Sequence, residues 1–333
     1  MLRSLFGRDW KNSPAHLLLL SKFLSPKAPA DFAKKENWAS LLEESPEKAI
    51  KRFLDDRMIE LVSLEELLEY KCKVTELKKL LKQRGLSTSG NKDELVRRLV
   101  QSDPEDMRKE AAGLLVYKCI KAGEEIAKKY VTGENEKKEI IQRSVLDALN
   151  KRNFKEAAKL VANYEASRLI PRGVNIDWKN YDTSRDIAML TAIFEHKPKM
   201  LAQLDDRQLE QLRTVAAMMY LWSYSYADYP LPPDFKTGLT IANDVAISML
   251  LANVQFHNEI AECRKSQAEW KGVPHVIEIY NCNDNLVCSA CKQIGRKYYS
   301  LKDVPELPYE KCTCEHGCRC WITWSTDITS SKT

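Results

Sequence analysis

Residues 74–99 read VTELKKLLKQRGLSTSGNKDELVRRL, and the spacing of their apolar positions decides how the first third of the chain folds. Val74, Leu77, Leu80 and Leu81 recur at intervals of three and four, which places them on one face of a helix. Gly85 follows at once. A residue without a Cβ accepts the positive φ that ends a helix, and Leu86 then turns back toward the apolar faces. Ser87, Thr88, Ser89 and Gly90 make a turn. Asn91 caps a second helix, with Glu94 three residues on as its capping-box partner. Leu95, Val96 and Leu99 give that helix its apolar side. The stretch predicts two short amphipathic helices joined by a tight loop.

Charge is concentrated on this hairpin. Residues 71–100 hold nine Lys or Arg and three acids, a net of +6, against +5 for the whole chain, so the remainder sits near −1. A basic character this local is the footprint of a phosphate-binding module. The arrangement V-x-E-L-K-x-x-L-K-x-x-G-L-x-x-x-G-x-K-x-E-L-x-x-R-L resembles the SAP motif at nearly every position. SAP modules bind DNA, often AT-rich duplex, through the face of the first helix and the N-terminus of the second. By that likeness Ser89, Gly90, Asn91 and Lys92 offer backbone N–H groups and charge to a phosphate. Lys73, Lys78, Lys82 and Arg84 flank the groove, and the partner is double-stranded DNA.

Outward from the hairpin, 333 residues suggest two or three domains, and an apolar fraction of 44% is enough for real cores. The longest early apolar run, Leu17 to Leu20, falls far short of the ~20 residues of a membrane span. The start of the chain also lacks the apolar core and cleavage site of a secretory signal. A DNA-binding module without a membrane segment points to the cytoplasm of a bacterium, nucleoid-associated or phage-derived, or to the nucleus of a eukaryote.

Residues 1–45, with Trp10 and Trp38, read as a docking segment. Ser45-Pro46 starts one helix, and the capping box Ser63–Glu66 starts another. Residues 46–104 are therefore expected to form one helical unit around the SAP-like stretch at about 65–102. Residues 105–265 read as an all-helical region available for protein partners or self-association. Expected helices run from Met107 to Tyr130, ended by Thr132-Gly133, then over 136–150, 154–170, 185–194, 206–226 and, after a proline-rich break at 229–233, 238–264. No Gly-rich phosphate loop, Ser/His/Asp set or paired-carboxylate pattern occurs in this region.

The ten cysteines are unevenly spread: Cys72 and Cys119 stand alone, and seven fall between Cys282 and Cys320. In a reducing compartment such a cluster binds metal more often than it forms disulfides. Val276 to Tyr280 alternates like a strand. Cys288-Ser-Ala-Cys291 followed by Gly295 has the shape of a zinc knuckle. Two further ligands come from Cys312, Cys314, His316, Cys318 and Cys320, a choice that spacing leaves open, as it leaves open a second ion. The order C-x-x-C, Gly295 with Tyr298 and Tyr299, Pro305-x-Leu-Pro308 and then Cys318-Arg-Cys320 is similar to the C-terminal end of phage minor-head morphogenesis proteins of the Mu type. That likeness implies a small metal-stabilised β-hairpin domain over 273–325.

The chain is thus expected to be mainly α: a helical N-terminal unit with the SAP helix–loop–helix, an all-helical middle, and a small zinc-stabilised β-hairpin domain. The expected function is non-enzymatic DNA binding with a structural zinc. The alternatives are a prophage-derived head-assembly or packaging factor and a DNA-processing enzyme that uses the zinc.

Overall fold

The computed structural model describes residues 9–33, 38–173, 175–223, 228, 231, 242–271 and 273–326. The expected proline-rich break and the helix ends at 224–226 and 238–241 lie outside these residues, apart from Leu231. The chain divides into two compact units, residues 1–139 and 140–333.

The first unit has two apolar cores. Helices α1 (Pro14–Lys22), α2 (Ala30–Ala33), α3 (Trp38–Leu42) and α4 (Pro46–Asp55) build one of them with strand β1 (Ile59–Leu61). Its centre is aromatic: Trp10 meets Phe53 edge-on at 4.9 Å and Phe32 meets Trp38 edge-on at 5.9 Å. Trp10 also donates its indole N–H to Asp56 Oδ2 at 2.7 Å. The two tryptophans of the expected docking segment are therefore buried within their own unit. Ser45 caps α4 as its sequence implies, accepting the Lys48 N–H.

The second core belongs to α5 (Leu64–Lys71), α6 (Val74–Gln83), α7 (Lys92–Ser102) and α8 (Pro104–Glu110). Leu68, Leu77, Leu81, Leu95, Leu99 and Met107 are all fully buried there. At roughly 1.5–3 kcal/mol for each large apolar side chain, the hairpin α6–α7 gains much of its stability from α5 and α8. The sequence pairs the hairpin with residues 46–70. Of those, only α5 joins this core, because α4 turns its apolar face to the aromatic cluster.

The four helices are an insertion between two paired strands. Strand β2 (Tyr117–Cys119) runs antiparallel to β1, with Ile59 opposite Cys119 and Leu61 opposite Tyr117. Val62 donates to the Val116 carbonyl at 3.1 Å and carries the ladder one step further. Glu66 of α5 ties the insertion to β2 by accepting from Lys118 Nζ at 2.9 and 3.0 Å. Burial raises the Glu66 carboxyl, but the Lys118 and Ser63 contacts outweigh it and hold the group below its ordinary value.

This strand replaces part of the helix expected over 107–130. The next helix, α9 (Lys121–Asn150), runs without interruption through Gly133, where the sequence suggests a break. One interior glycine costs a helix only about 1 kcal/mol.

In the second unit, the end of α9 packs with α10 (Phe154–Ser167), α11 (Ser184–Glu195), α12 (Asp206–Trp222) and α13 (Asn243–Glu269) around Leu149, Val161, Ile193, Leu212 and Leu250. Glu165 of α10 is buried but accepts from Arg168 Nη1 at 3.0 Å and the Arg172 backbone N–H at 2.9 Å. The far half of α13 turns Phe256, Ile260 and Cys263 toward a separate core. That core is closed by β3 (His275–Asn281), α14 (Ser289–Ile294), β4 (Tyr298–Tyr299) and β5 (Cys320–Thr326). The strands form an antiparallel sheet in the order β4-β3-β5. The expected β-hairpin is thus a three-stranded sheet, with Ile277, Ile279 and Ile322 facing inward.

Candidate nucleic-acid interface and metal centre

The two ends of the α6–α7 connection are fixed by hydrogen bonds that the sequence encodes. At the end of α6, Gly85 has φ +66°. Gly85 donates to the Lys82 carbonyl at 3.1 Å and Leu86 to the Leu81 carbonyl at 2.9 Å, the paired bonds of a Schellman cap. At the start of α7, Asn91 Oδ1 accepts the Glu94 N–H at 3.0 Å and Glu94 Oε2 accepts the Asn91 N–H at 3.3 Å. Between them the loop is held by Arg98, whose Nη1 donates to the Ser87 carbonyl at 2.6 Å and the Ser89 carbonyl at 3.0 Å. Sequence reasoning missed Arg98 because its partners lie nine and eleven residues back, beyond any helical spacing.

Gly90 is the tightest point of the loop. Its φ is +114°, and a Cβ there would lie 2.2 Å from Glu94 Oε2. Gly90→Ala must therefore strain the backbone and displace the carboxylate that completes the cap, an expected loss of about 2–4 kcal/mol. Gly85 has positive φ but open space around it, so Gly85→Ala should cost only about 1–2 kcal/mol. Hydrogen exchange of the α7 amides separates the two: Gly90→Ala should be the less protected variant, and equal protection would contradict the clash.

The eight expected DNA contacts fall into three groups. Lys73, Lys78 and Lys82 lie exposed on α6. No ion pair engages them among the described residues, and the same holds for Lys79. Ser89, Gly90 and Asn91 form the exposed turn before α7. The N–H of Asn91 is taken by Glu94 and that of Ser89 faces Ser87 Oγ at 3.4 Å. The N–H groups of Gly90 and Lys92 have no partner among the described residues.

Arg84 and Lys92 are also engaged within the unit. Arg84 donates to the Leu80 carbonyl at 3.0 Å and pairs with Asp106 of α8. Lys92 Nζ reaches the Glu69 carbonyl at the end of α5 at 2.5 Å. Both cations clamp the hairpin to its neighbouring helices. Their acceptors are remote in sequence, so spacing within the motif does not reveal them.

This is a compact helical module with a solvent-facing row of lysines and unpartnered N–H groups at a helix start, a constellation suited to phosphate. Residues 71–104 match the SAP domain family, and the chain contains a SAP domain over that span. No match to the chain is found among curated proteins or among solved structures.

At the other end of the chain, six cysteines converge. The sulfurs of Cys288, Cys291, Cys312 and Cys314 lie within 4.8 Å of one another, and those of Cys291, Cys318 and Cys320 do likewise. Cys288 caps α14, so its sulfur accepts the Cys291 N–H at 3.5 Å. The Thr313 N–H reaches the same sulfur at 3.4 Å, the Cys288 N–H reaches Cys314 at 3.2 Å, and the Cys314 N–H reaches Cys312 at 3.4 Å. Outside the shell, Arg319 clasps Asp284 through contacts of 2.8 and 3.0 Å.

Burial raises the Cys288 thiol, but the N–H donors of Thr313 and Cys291 outweigh it and bring the group down to about 6. Cys318 is also drawn down, by thiol contacts with Cys291, Cys312 and Cys320, while Cys291 is pushed up by its contacts with Cys312, Cys318 and Cys320. Buried and half-buried sulfurs that converge this closely, and that receive backbone N–H groups, form a donor set that can hold a metal ion.

The remaining candidates stand apart. His316 and Cys282 are exposed, and neither belongs to a sulfur group. Cys263 packs in the apolar core, and Cys119 is pushed up to about 12 by burial. Cys72 is half-buried at the end of α5.

Proposed function

We propose that this protein binds duplex DNA without acting on it chemically. In this reading Lys73, Lys78 and Lys82 follow the phosphates beside the minor groove, and the turn from Ser89 to Lys92 brings the start of α7 to a phosphate. Arg84 and Lys92 contribute by holding the four-helix insertion rigid, with Lys92 adding charge at the turn. A structural zinc ion among the C-terminal cysteines fixes the three-stranded sheet. The observation that carries the reading is the SAP domain at 71–104, on a unit whose α6 lysines have no ion-pair partner among the described residues.

An all-thiolate donor set supports a structural rather than a catalytic ion, since a catalytic zinc keeps one position for water. Tetrahedral zinc–sulfur bonds of about 2.3 Å set the sulfurs about 3.8 Å apart. The four sulfurs of the first group, within 4.8 Å of one another, need only a slight contraction to meet that geometry.

The reading is tested by titrating the full chain into a labelled AT-rich duplex at several salt concentrations, alongside elemental analysis. Saturable binding that weakens steeply with salt, in a zinc-containing protein, is expected. Absence of binding at low salt would overturn the DNA assignment. A metal-free protein that stays metal-free after reconstitution would overturn the zinc assignment.

A further inference from the structure

The two sulfur groups at the C-terminal end are not separate. Cys291 belongs to both, and its sulfur lies 3.9 Å from that of Cys318. Cys291 therefore stands in the middle of the cluster. Cys288, Cys312 and Cys314 share one group with it, and Cys318 and Cys320 the other.

A single zinc ion takes four thiolates. Placed in the first group, it would leave Cys318 and Cys320 beside an occupied site with no ion of their own. Two ions with separate ligands would need eight donors, and only six sulfurs converge. His316 and Cys282 do not make up the difference, because both are exposed and lie in neither group. Two tetrahedra built from six sulfurs must share two of them. Cys291, common to both groups, is positioned to be one of them, and the other must come from the first group.

We propose, resting on the zinc reading above, that the six cysteines hold two zinc ions bridged by the sulfur of Cys291, with Cys288, Cys312 and Cys314 completing one site, and with Cys318, Cys320 and one sulfur shared from the first site completing the other. Charge is consistent with this arrangement. Six thiolates and two divalent ions leave the same net −2 as one ion with four thiolates. No sulfur of the cluster is left over, and all six bind as thiolates. Bridging also gives both Cys312-Thr-Cys314 and Cys318-Arg-Cys320 a ligand role within one small module.

Native mass spectrometry and elemental analysis of the full chain, purified and reconstituted with zinc, count the ions. Two per chain are expected. One per chain overturns the shared cluster while leaving a zinc site standing, and none overturns both. Cadmium-113 replacement then reads the sharing directly. Two cadmium resonances are expected, with the β-protons of Cys291 and of one further cysteine of the first group correlating with both. Two resonances with no cysteine in common would overturn the bridge. The double variant Cys318→Ser, Cys320→Ser should retain one ion. If it fails to fold, the count and correlations on the unaltered protein still decide the question.

Discussion

Replacing Lys73, Lys78 and Lys82 together by glutamine should weaken duplex binding and make log K less steeply dependent on log salt by about 3, at close to 0.9 for each lost phosphate contact. A difference of that size amounts to roughly 40-fold in the affinity lost between 50 and 200 mM salt. The fold should not change. All three side chains are exposed and lie outside the core of Leu68, Leu77, Leu81 and Leu95, and glutamine is nearly as good a helix former as lysine. Fluorescence anisotropy on a labelled duplex, repeated across a salt series, gives the slope. An unchanged slope in the triple variant would show that α6 does not face the phosphates.

The position of Arg84 sharpens this test. Its guanidinium is engaged by Leu80 and Asp106, so Arg84→Gln should loosen α8 from the hairpin and lower stability without an equal change in slope. Affinity alone would not separate the two effects, whereas slope and unfolding measured together do.

Removing metal should have the larger effect on folding. The C-terminal core joins Ile277, Ile279, Val287, Ile294, Leu307 and Ile322 to Phe256 and Ile260 of α13, with four of the converging cysteines buried among them. Structural zinc supplies roughly 10–16 kcal/mol in small zinc-dependent domains, a contribution comparable to that of the apolar burial itself. Excess chelator should therefore abolish hydrogen-exchange protection of the β3 and β5 amides and alter the fluorescence of Trp321 and Trp324. The α5–α8 amides should keep theirs. Because the ligands must lose their thiol protons to bind, falling pH should release the ions as well. Full protection of β3 and β5 after complete chelation would show that the sheet stands without metal.

The local features were legible in the sequence because their causes are local. Gly85 ends α6, Asn91 and Glu94 start α7, Ser63 and Glu66 start α5, and residues 276–280 lie in a strand. Each is decided by residues within a few positions. Features that depend on distant partners were not legible. The pairing of β1 with β2 joins Leu61 to Tyr117 across the whole SAP-containing insertion, so a helix over 107–130 was the natural reading. Gly133 inside α9 is the opposite case, a local signal outweighed by the length of the helix around it. At the candidate interface, sequence found the basic residues. It could not separate those engaged by Asp106 or the Glu69 carbonyl from those left facing solvent. The cysteine spacing identified the end of the chain whose sulfurs converge, but only three-dimensional proximity shows Cys291 in two groups at once.

The strand pair β1–β2 also sets how the SAP domain is mounted. The chain leaves for α5 just after Leu61 and returns from α8 just before Tyr117, two residues that face each other across the ladder. A unit whose entry and exit meet is a cassette. Removing residues 64–114 and closing the gap with a two-residue turn would leave a β-hairpin whose partners are already in register. The rest of the first unit would lose the Lys118–Glu66 ion pair and the hydrogen bond from the Tyr70 hydroxyl to Asp31 at 2.7 Å. In lineage terms, an element mounted this way can be acquired, exchanged or lost in one step. The element and the fold that carries it are then free to change independently.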